Sequence, residues 1–538
     1  WAGGTRSGER IRYVRPAASG LLETDISIGS SSFVRKNISV TLIEGGDLTK
    51  IKSWNPSPES FSNRVSSLTN ASQSFLQETG SWSYIDETRT SEVEQLQVWD
   101  GISDARIEFS SADIPSTSSM ARLTENLNLQ RGLLRHLDNI PEVQILQKTR
   151  VTAIENDTSE RGGWPLLHLD NDTTLRARLL IGADGFNSPV RTFAQISSFG
   201  WAYDTQAIVA TLNHSARGAY EGPNTTAYQR FLPTGPIAFL PLSPSVSSLV
   251  WSTKPSIAAA LLASNPDVLT NMINAAFRLP DVSLKYLQKR VVDAHAAGTP
   301  ISPSEIREEI QWREEAHGID RNSAYSSALL GVGSQGIPPA DSEMLPPLVV
   351  ELQPGTMASF PLRFNHAESY AGEGFGARTV LVGDAAHTIH PLAGQGLNLG
   401  LADVECLTRC IKNSLLSGGD IGSYTALLPY TQERYLANHT VMSACDKLHK
   451  LYSIENQQIV WARSVGVEVL NELDTVKAAI MMTAGANKAV GRSTGHSTAY
   501  TLAGNAVESL ASAVHTAGAI GGIFGNYVNS VVGKLAKK

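Results

Sequence analysis

The feature that most constrains this 538-residue chain is the short apolar run Thr379-Val-Leu-Val382, which delivers Gly383-Asp384, passes through a loop holding Pro391 and reopens at Gly394-Gln-Gly-Leu-Asn398. A β-branched apolar run closed by glycine predicts a buried strand. The glycine-opened stretch after it predicts the start of a helix, so the unit belongs to layered α/β architecture. An aspartate at a strand's carboxyl end is placed to accept hydrogen bonds from a ribose hydroxyl or a ribityl chain. Glycines at a helix start let backbone N–H groups approach an anion, and the helix dipole adds favourable potential there. A second unit, Arg178-Leu-Leu-Ile-Gly-Ala-Asp184, again ends in an acid, followed by Gly185 and, one turn later, Arg191. Asp-Gly alone is an ordinary turn. Two strand-delivered acids 200 residues apart argue for one nucleotide-binding sheet that the chain enters twice.

The segments between these units differ in texture. Residues 38–44 form a strand ending in Glu44 and the turn Gly45-Gly46-Asp47. Helical spacing of apolar residues over 121–138 predicts one helix with Thr124 as its cap. Short strands are expected at 143–146 and 151–155. Alternation at 207–212, 228–232, 237–242 and 247–252 predicts an antiparallel sheet. Proline- and glycine-broken polar sequence at 288–347 has the look of a partly helical insertion, and 395–485 of a run of helices. The expected organisation is therefore an α/β domain split between 38–199 and 366–485, around a mostly β substrate domain at 200–365. An atypical segment, 1–37, precedes it and an amphipathic tail, 486–538, follows. That tail is glycine- and alanine-rich and ends in Lys534, Lys537 and Lys538. It suits a helix closing on the body of the protein, or one lying on a membrane or partner.

Bulk properties exclude other classes. A net charge of −7 and no basic stripe argue against a nucleic-acid partner. Cys406, Cys410 and Cys445 are too few for a disulfide framework and are expected as reduced thiols. His387 and His390 lack further ligands at metal spacing, so no metal is expected and both are taken as hydrogen-bonded loop histidines. Arg6, Arg10, Arg12 and Arg15 against Glu9 suit the remains of an organellar transit peptide or, equally, a short basic tail. No apolar run is long enough to span a bilayer, so membrane contact is expected to be peripheral.

Together the two acid-bearing blocks resemble those of the class A FAD-dependent aromatic-ring monooxygenases, which share the para-hydroxybenzoate hydroxylase fold. Within that class the chain is most similar to the ring hydroxylases of ubiquinone (coenzyme Q) biosynthesis, mitochondrial type. The finer likeness lies in Ser62-Asn-Arg-Val-Ser-Ser-Leu68, Gly80-Ser-Trp82, the Glu125-Asn126 helix start, Gln229-Arg-Phe-Leu-Pro-Thr-Gly-Pro-Ile-Ala-Phe-Leu-Pro-Leu242, Asn274-Ala-Ala-Phe277 and Ser359-Phe-Pro-Leu362. It runs from about residue 38 to about 485.

The resemblance implies roles. Glu44 would hold the adenosine ribose, and Arg64, Asn126 and Arg131 the phosphate and ribose region of FAD. Asp184 and Gly185 would approach the pyrophosphate. Gly383 and Asp384 would meet the ribityl chain, and Gly394, Gln395, Gly396, Leu397 and Asn398 would lie against the isoalloxazine. Pro391 would sit at the reacting edge, with Phe231, Leu240 and Pro241 lining the substrate site under a β roof. No catalytic side chain is assigned, because the flavin carries the chemistry. The resemblance further implies a polyprenylated hydroxybenzoate or phenol as substrate and electrons from a ferredoxin and its reductase or from NAD(P)H. It implies association with other coenzyme Q biosynthesis proteins and a peripheral place on the matrix side of the mitochondrial inner membrane. Two alternatives stand beside this reading: a non-catalytic scaffold subunit of the same complex, and a hydroxylase of another aromatic metabolite.

One departure sets a further expectation. The fold needs a strand and a glycine-rich turn some twenty residues before Glu44. Gly3-Gly4-Thr-Arg-Ser-Gly8 has the wrong spacing and precedes the Ile11–Val14 run instead of following a strand. The central strand and phosphate loop are thus expected to be missing or replaced, through an incomplete or mis-spliced chain, and FAD affinity weakened.

Overall fold

A computed structural model of the chain describes residues 10–15, 38–114, 118–157, 163–217, 222–330, 338–473, 477 and 480–481. The amphipathic tail at 486–538 lies outside them.

Five strands form a wholly parallel sheet in the order Thr379–Leu381, Leu179–Gly182, Arg10–Arg15, Ser39–Glu44, Val143–Gln147. Val40, Leu42, Ile43, Leu180, Ile181, Val380 and Leu381 are all buried. Continuous apolar runs of this kind suit strands covered on both faces. Cover comes in part from the helices Asn126–Leu137, Gly396–Leu416 and Tyr424–Tyr452, which contribute Leu134, Leu407, Ile411 and Tyr430 to the same core. The central place, whose usual strand was expected to be missing or replaced, is taken by Arg10–Arg15, with Ile11 in register with both Val40 and Leu179. Of the two expectations, a missing strand is corrected and a replaced one stands: an arginine-rich hexamer with apolar residues at its heart pairs on both edges. The segment that follows it, where a phosphate loop would lie, is outside the described residues.

Helical periodicity misled at 121–138. Residues Ala121–Glu125 form a strand held between Val65–Thr69 and Thr90–Val93, with Thr124 opposite both Ser66 and Thr90. The helix starts at Asn126 with Glu125 in the capping position, so Thr124 does not cap it. Pairing on two edges satisfies more backbone groups than one extra helical turn would.

The second large sheet is mostly antiparallel and is built around the 17-residue strand Ser198–His214. One half of that strand pairs with Val246–Thr253, and the other reaches Ala358–Ala367. Ala358–Ala367 in turn pairs with His387–Thr388, just past Asp384, which joins the two sheets. Four helices, Pro255–Ala263, Pro266–Arg278, Asp281–Ala296 and Pro303–Ala316, share a core with this sheet. Helix therefore begins at Pro255, ahead of the 288–347 insertion suggested by composition. Proline at the first helical position starts a helix where the same residue inside would end it.

Candidate functional site

Parallel strands in flush register end together. Arg15 stands opposite Glu44, Val14 opposite Gly182, and Gly182 opposite Leu381. The acids that follow, Glu44, Asp184 and Asp384, therefore meet at the carboxyl edge of the sheet, where ligands of open α/β sheets bind. Glu44 is buried, and its Oε1 accepts the Gly46 N–H at 2.7 Å. Asp184 is 3% exposed. Its Oδ2 accepts the Val190 N–H at 3.0 Å, while Oδ1 has no partner among the described residues. Burial pushes its carboxyl up to about 6 against the pull of Ser188 and Val190. Gly185 turns the chain at φ +79°, a region glycine enters without steric cost. Arg191 ties the two blocks together, donating to the Ala385 carbonyl at 2.7 Å and the Phe186 carbonyl at 2.6 Å. Asp384 is raised by burial and pulled back by His387.

A buried polar network supports the Gly383–Asp384 turn from beneath. Asp403, with no exposed surface, accepts from the Gly383 N–H at 3.1 Å, His387 Nε2 at 2.6 Å, Arg434 Nε at 2.9 Å and Asn438 Nδ2 at 2.9 Å. Burial alone would raise this carboxyl, but His387 and Arg434 hold it down to about 2. Asn438 continues to the Tyr370 hydroxyl at 3.1 Å, which meets His366 Nε2 at 2.8 Å. Sequence reasoning missed Asp403, Arg434 and Asn438. The Arg434–Asn438 helical spacing was the available signal, and it does not point to a partner 31 residues away.

The glycine-opened helix is stitched to the 65–69 strand. Asn398 Oδ1 accepts the Thr69 N–H at 3.0 Å, and its Nδ2 donates to the Ser67 carbonyl at 2.8 Å. Gly394 has φ +60°, and a Cβ there would stand 3.4 Å from Ser67 Cβ. Gln395 occupies the capping position, Gly396 opens the helix, and Leu397 packs beside the Leu68–Leu76 cluster. Asn126 accepts from Ser66 Oγ at 2.6 Å and its N–H donates to the Arg64 carbonyl at 3.0 Å. The Arg64 guanidinium is exposed and has no partner among the described residues. Arg131 behaves differently. It donates to the Trp54 carbonyl at 2.9 Å, lies 3.6 Å from Asp86 and sits 4.9 Å above the Trp54 ring.

The second large sheet meets the loop after Asp384 through Gln229, whose Nε2 donates to the Leu392 carbonyl at 3.2 Å, beside half-buried Pro391. Phe231 is buried and stacks on Tyr452 at 4.2 Å. Leu240 packs with Phe61 and Leu123, and Pro241 is buried next to it. His390 accepts the Leu392 N–H at 3.1 Å and is held neutral, down to about 3, by burial and by His449.

These residues fit FAD. An orphaned buried carboxylate oxygen, an unpaired arginine and left-handed glycines lie where a dinucleotide would need a hydroxyl acceptor, a phosphate counter-charge and close backbone approach.

Comparison with known proteins agrees. The FAD binding domain family matches residues 32–298 and 347–444. Ubiquinone biosynthesis monooxygenase COQ6, mitochondrial, of Schizosaccharomyces pombe is 35% identical over 460 residues, 84% of this chain and 87% of that protein. The Homo sapiens protein of the same name is 32% identical over 435 residues, 79% and 82% of the two chains. The chain belongs to this family of FAD-dependent monooxygenases. Solved structures of the same fold include p-nitrophenol 4-monooxygenase PnpA from Pseudomonas putida DLL-E4, at TM-score 0.58 and 15% identity over 90% of this chain and 100% of that one. Klebsiella pneumoniae HpxO complexed with FAD and uric acid follows at 0.55 and 14%, over 88% and 97%. As a member of this family the protein is an enzyme with FAD as its cofactor, on an α/β para-hydroxybenzoate-hydroxylase-like fold with interleaved β and helical parts.

Proposed function

We propose that this family member hydroxylates the aromatic ring of a polyprenylated hydroxybenzoate or phenol intermediate in ubiquinone biosynthesis. The observation that carries the reading is the junction at Leu392, where Gln229 of the β roof closes on the loop between Asp384 and the glycine-opened helix. A ring placed under that roof would lie against the flavin edge.

FAD, when bound, supplies the oxygen-activating chemistry. The chain's residues would hold it: Glu44 at the adenosine ribose, Arg64 at the phosphates, Asp384 at the ribityl chain and the helix N–H groups at the ring. Arg131 would act only through Trp54 and Asp86. His390, neutral at physiological pH, holds the Leu392 backbone and carries no charge to the reacting edge. Phe231, stacked on Tyr452, would wall the ring pocket against water.

Among the described residues no helix is long and apolar enough to cross a membrane. The mitochondrial names of the relatives and the apolar tail of such a substrate support peripheral attachment at the matrix face of the inner membrane. Ferredoxin with its reductase, or NAD(P)H, would supply electrons, and other coenzyme Q biosynthesis proteins would be its neighbours.

The deciding experiment loads the purified protein with FAD, supplies each reductant in turn, and compares prenylated with unprenylated phenols by mass spectrometry. Gain of one oxygen on the prenylated phenol is expected. A yellow protein active only on unprenylated rings would move it to another aromatic metabolite. A colourless protein that cannot be loaded would favour the scaffold role.

A further inference from the structure

A cleft of about 520 Å³ lies between the long strand Ser198–His214, the helix Asp281–Ala296 and the end of the helix Tyr424–Tyr452. None of the residues assigned above to FAD lines it. Its wall contains three polar side-chain groups with no partner among the described residues: Thr205 Oγ1, Thr234 Oγ1 and Gln288 Nε2. Thr205 and Gln288 are 7% and 3% exposed. Buried donors are seldom left unpaired in this way, because each forfeits its hydrogen bond to water. The Gln288 amide nitrogen can only donate, so the partner it lacks is an acceptor.

Charge at the same wall points the same way. Lys285 is neutralised by Asp281 at 2.9 Å and by Glu455, another lining residue, at 2.8 Å. Lys254 and Lys289 are exposed at the wall and have no ion pair among the described residues. Against them stands one unpaired carboxylate, Asp204. Two free ammonium groups over three neutral hydrogen-bonding groups make a donor-rich surface of the size that takes a small molecule.

We propose that this cleft is a second binding site, for a small molecule bearing a carboxylate or phosphate group, with Gln288, Thr205 and Thr234 gripping the oxyanion and Lys254 and Lys289 drawing it in. Its back wall is His449, whose ring lies 4.6 Å from that of His390. His390 holds the Leu392 N–H, so an occupant of the cleft would touch the ring that packs on the side chain holding that loop.

Isothermal titration calorimetry on the full chain tests this, with benzoate and inorganic phosphate as separate probes. Excess FAD is present throughout so that the flavin's own phosphate contacts are filled. Saturable one-to-one binding of one probe is expected, which also distinguishes a carboxylate from a phosphate ligand. Gln288→Leu, near in volume, should weaken it about tenfold or more, and Lys254→Glu/Lys289→Glu, on exposed positions that do not threaten the fold, should abolish it. Arg64→Ala should leave the affinity unchanged; loss there would place the probe in the flavin crevice and overturn the proposal. Absence of saturation with both probes, or binding that ignores Gln288→Leu and the double variant, would overturn it equally. Failure of the flavin reading would show separately, as a colourless protein, and Arg64→Ala would still report whether a probe sits in the open crevice.

Discussion

Asp403 is the residue on which most of the site's geometry converges, since four donors from three separate elements end on its carboxylate. Asp403→Asn would remove the carboxylate charge that the buried Arg434 Nε meets at 2.9 Å, and breaking one side of such a pair costs about 3–5 kcal/mol. Urea denaturation should show that loss, and the visible flavin absorbance retained after gel filtration should fall, because the Gly383 turn loses its anchor. Normal stability with normal flavin retention would mean the network is idle. Asp184 yields a pH prediction. Its native carboxyl sits near 6 against an ordinary 3.8, so the unfolded chain gives up its proton first as pH rises. The native state is therefore unpenalised below about pH 4 and loses stability as pH climbs through 6. In FAD-free protein, Asp184→Asn should gain in Tm over wild type across that window and hold the gain above it. A gain independent of pH would show that the carboxyl is already paired.

At the scale of elements, the close seating of strands and helices depends on small side chains. A Cβ on Gly182 would stand 2.9 Å from both Leu381 Cδ2 and Val190 Cβ, between the strand Thr379–Leu381 and the helix Pro189–Phe193. Gly182→Ala should cost about 1–3 kcal/mol by overpacking, and Gly182→Val more, read as a falling denaturation midpoint with an unchanged slope. An unaffected midpoint would mean the strand pair can slide apart. The same scale shows why 121–125 misled. The apolar residues of 121–138 carry a helical spacing, yet the strand partners of 121–125 are 52–60 and 28–34 residues away, invisible in a local window.

For the whole molecule, the fully buried pair Arg463–Asp100 fastens the helix Gln457–Asn471 to the strand Gln95–Asp100, with Nε–Oδ2 at 2.6 Å across 363 residues of sequence. Arg463 also donates to the carbonyls of Leu451 and Ile454, closing the bend between two helices. Arg463→Met should destabilise by about 3–5 kcal/mol and open the 453–456 bend to limited proteolysis, while Arg463→Met with Asp100→Leu recovers part of the stability. Cleavage that stays at the wild-type rate in the single variant would show the pair to be dispensable.

The Gly383–Asp384 and Asp184–Gly185 blocks, the strand ending in Glu44 and the alternating strands after residue 205 were legible in the sequence, because each is a local pattern of apolar period, acid and glycine. From them followed the α/β class and the family. Tertiary structure alone decided which donors those acids receive and which arginine is spent. Arg64 and Arg131 look alike in sequence, but Trp54 and Asp86 engage only Arg131. It also decided that Arg10–Arg15, which lacks the expected glycine fingerprint, fills the centre of the sheet: a strand position is won by pairing on both edges, and that depends on partners 29 and 168 residues away.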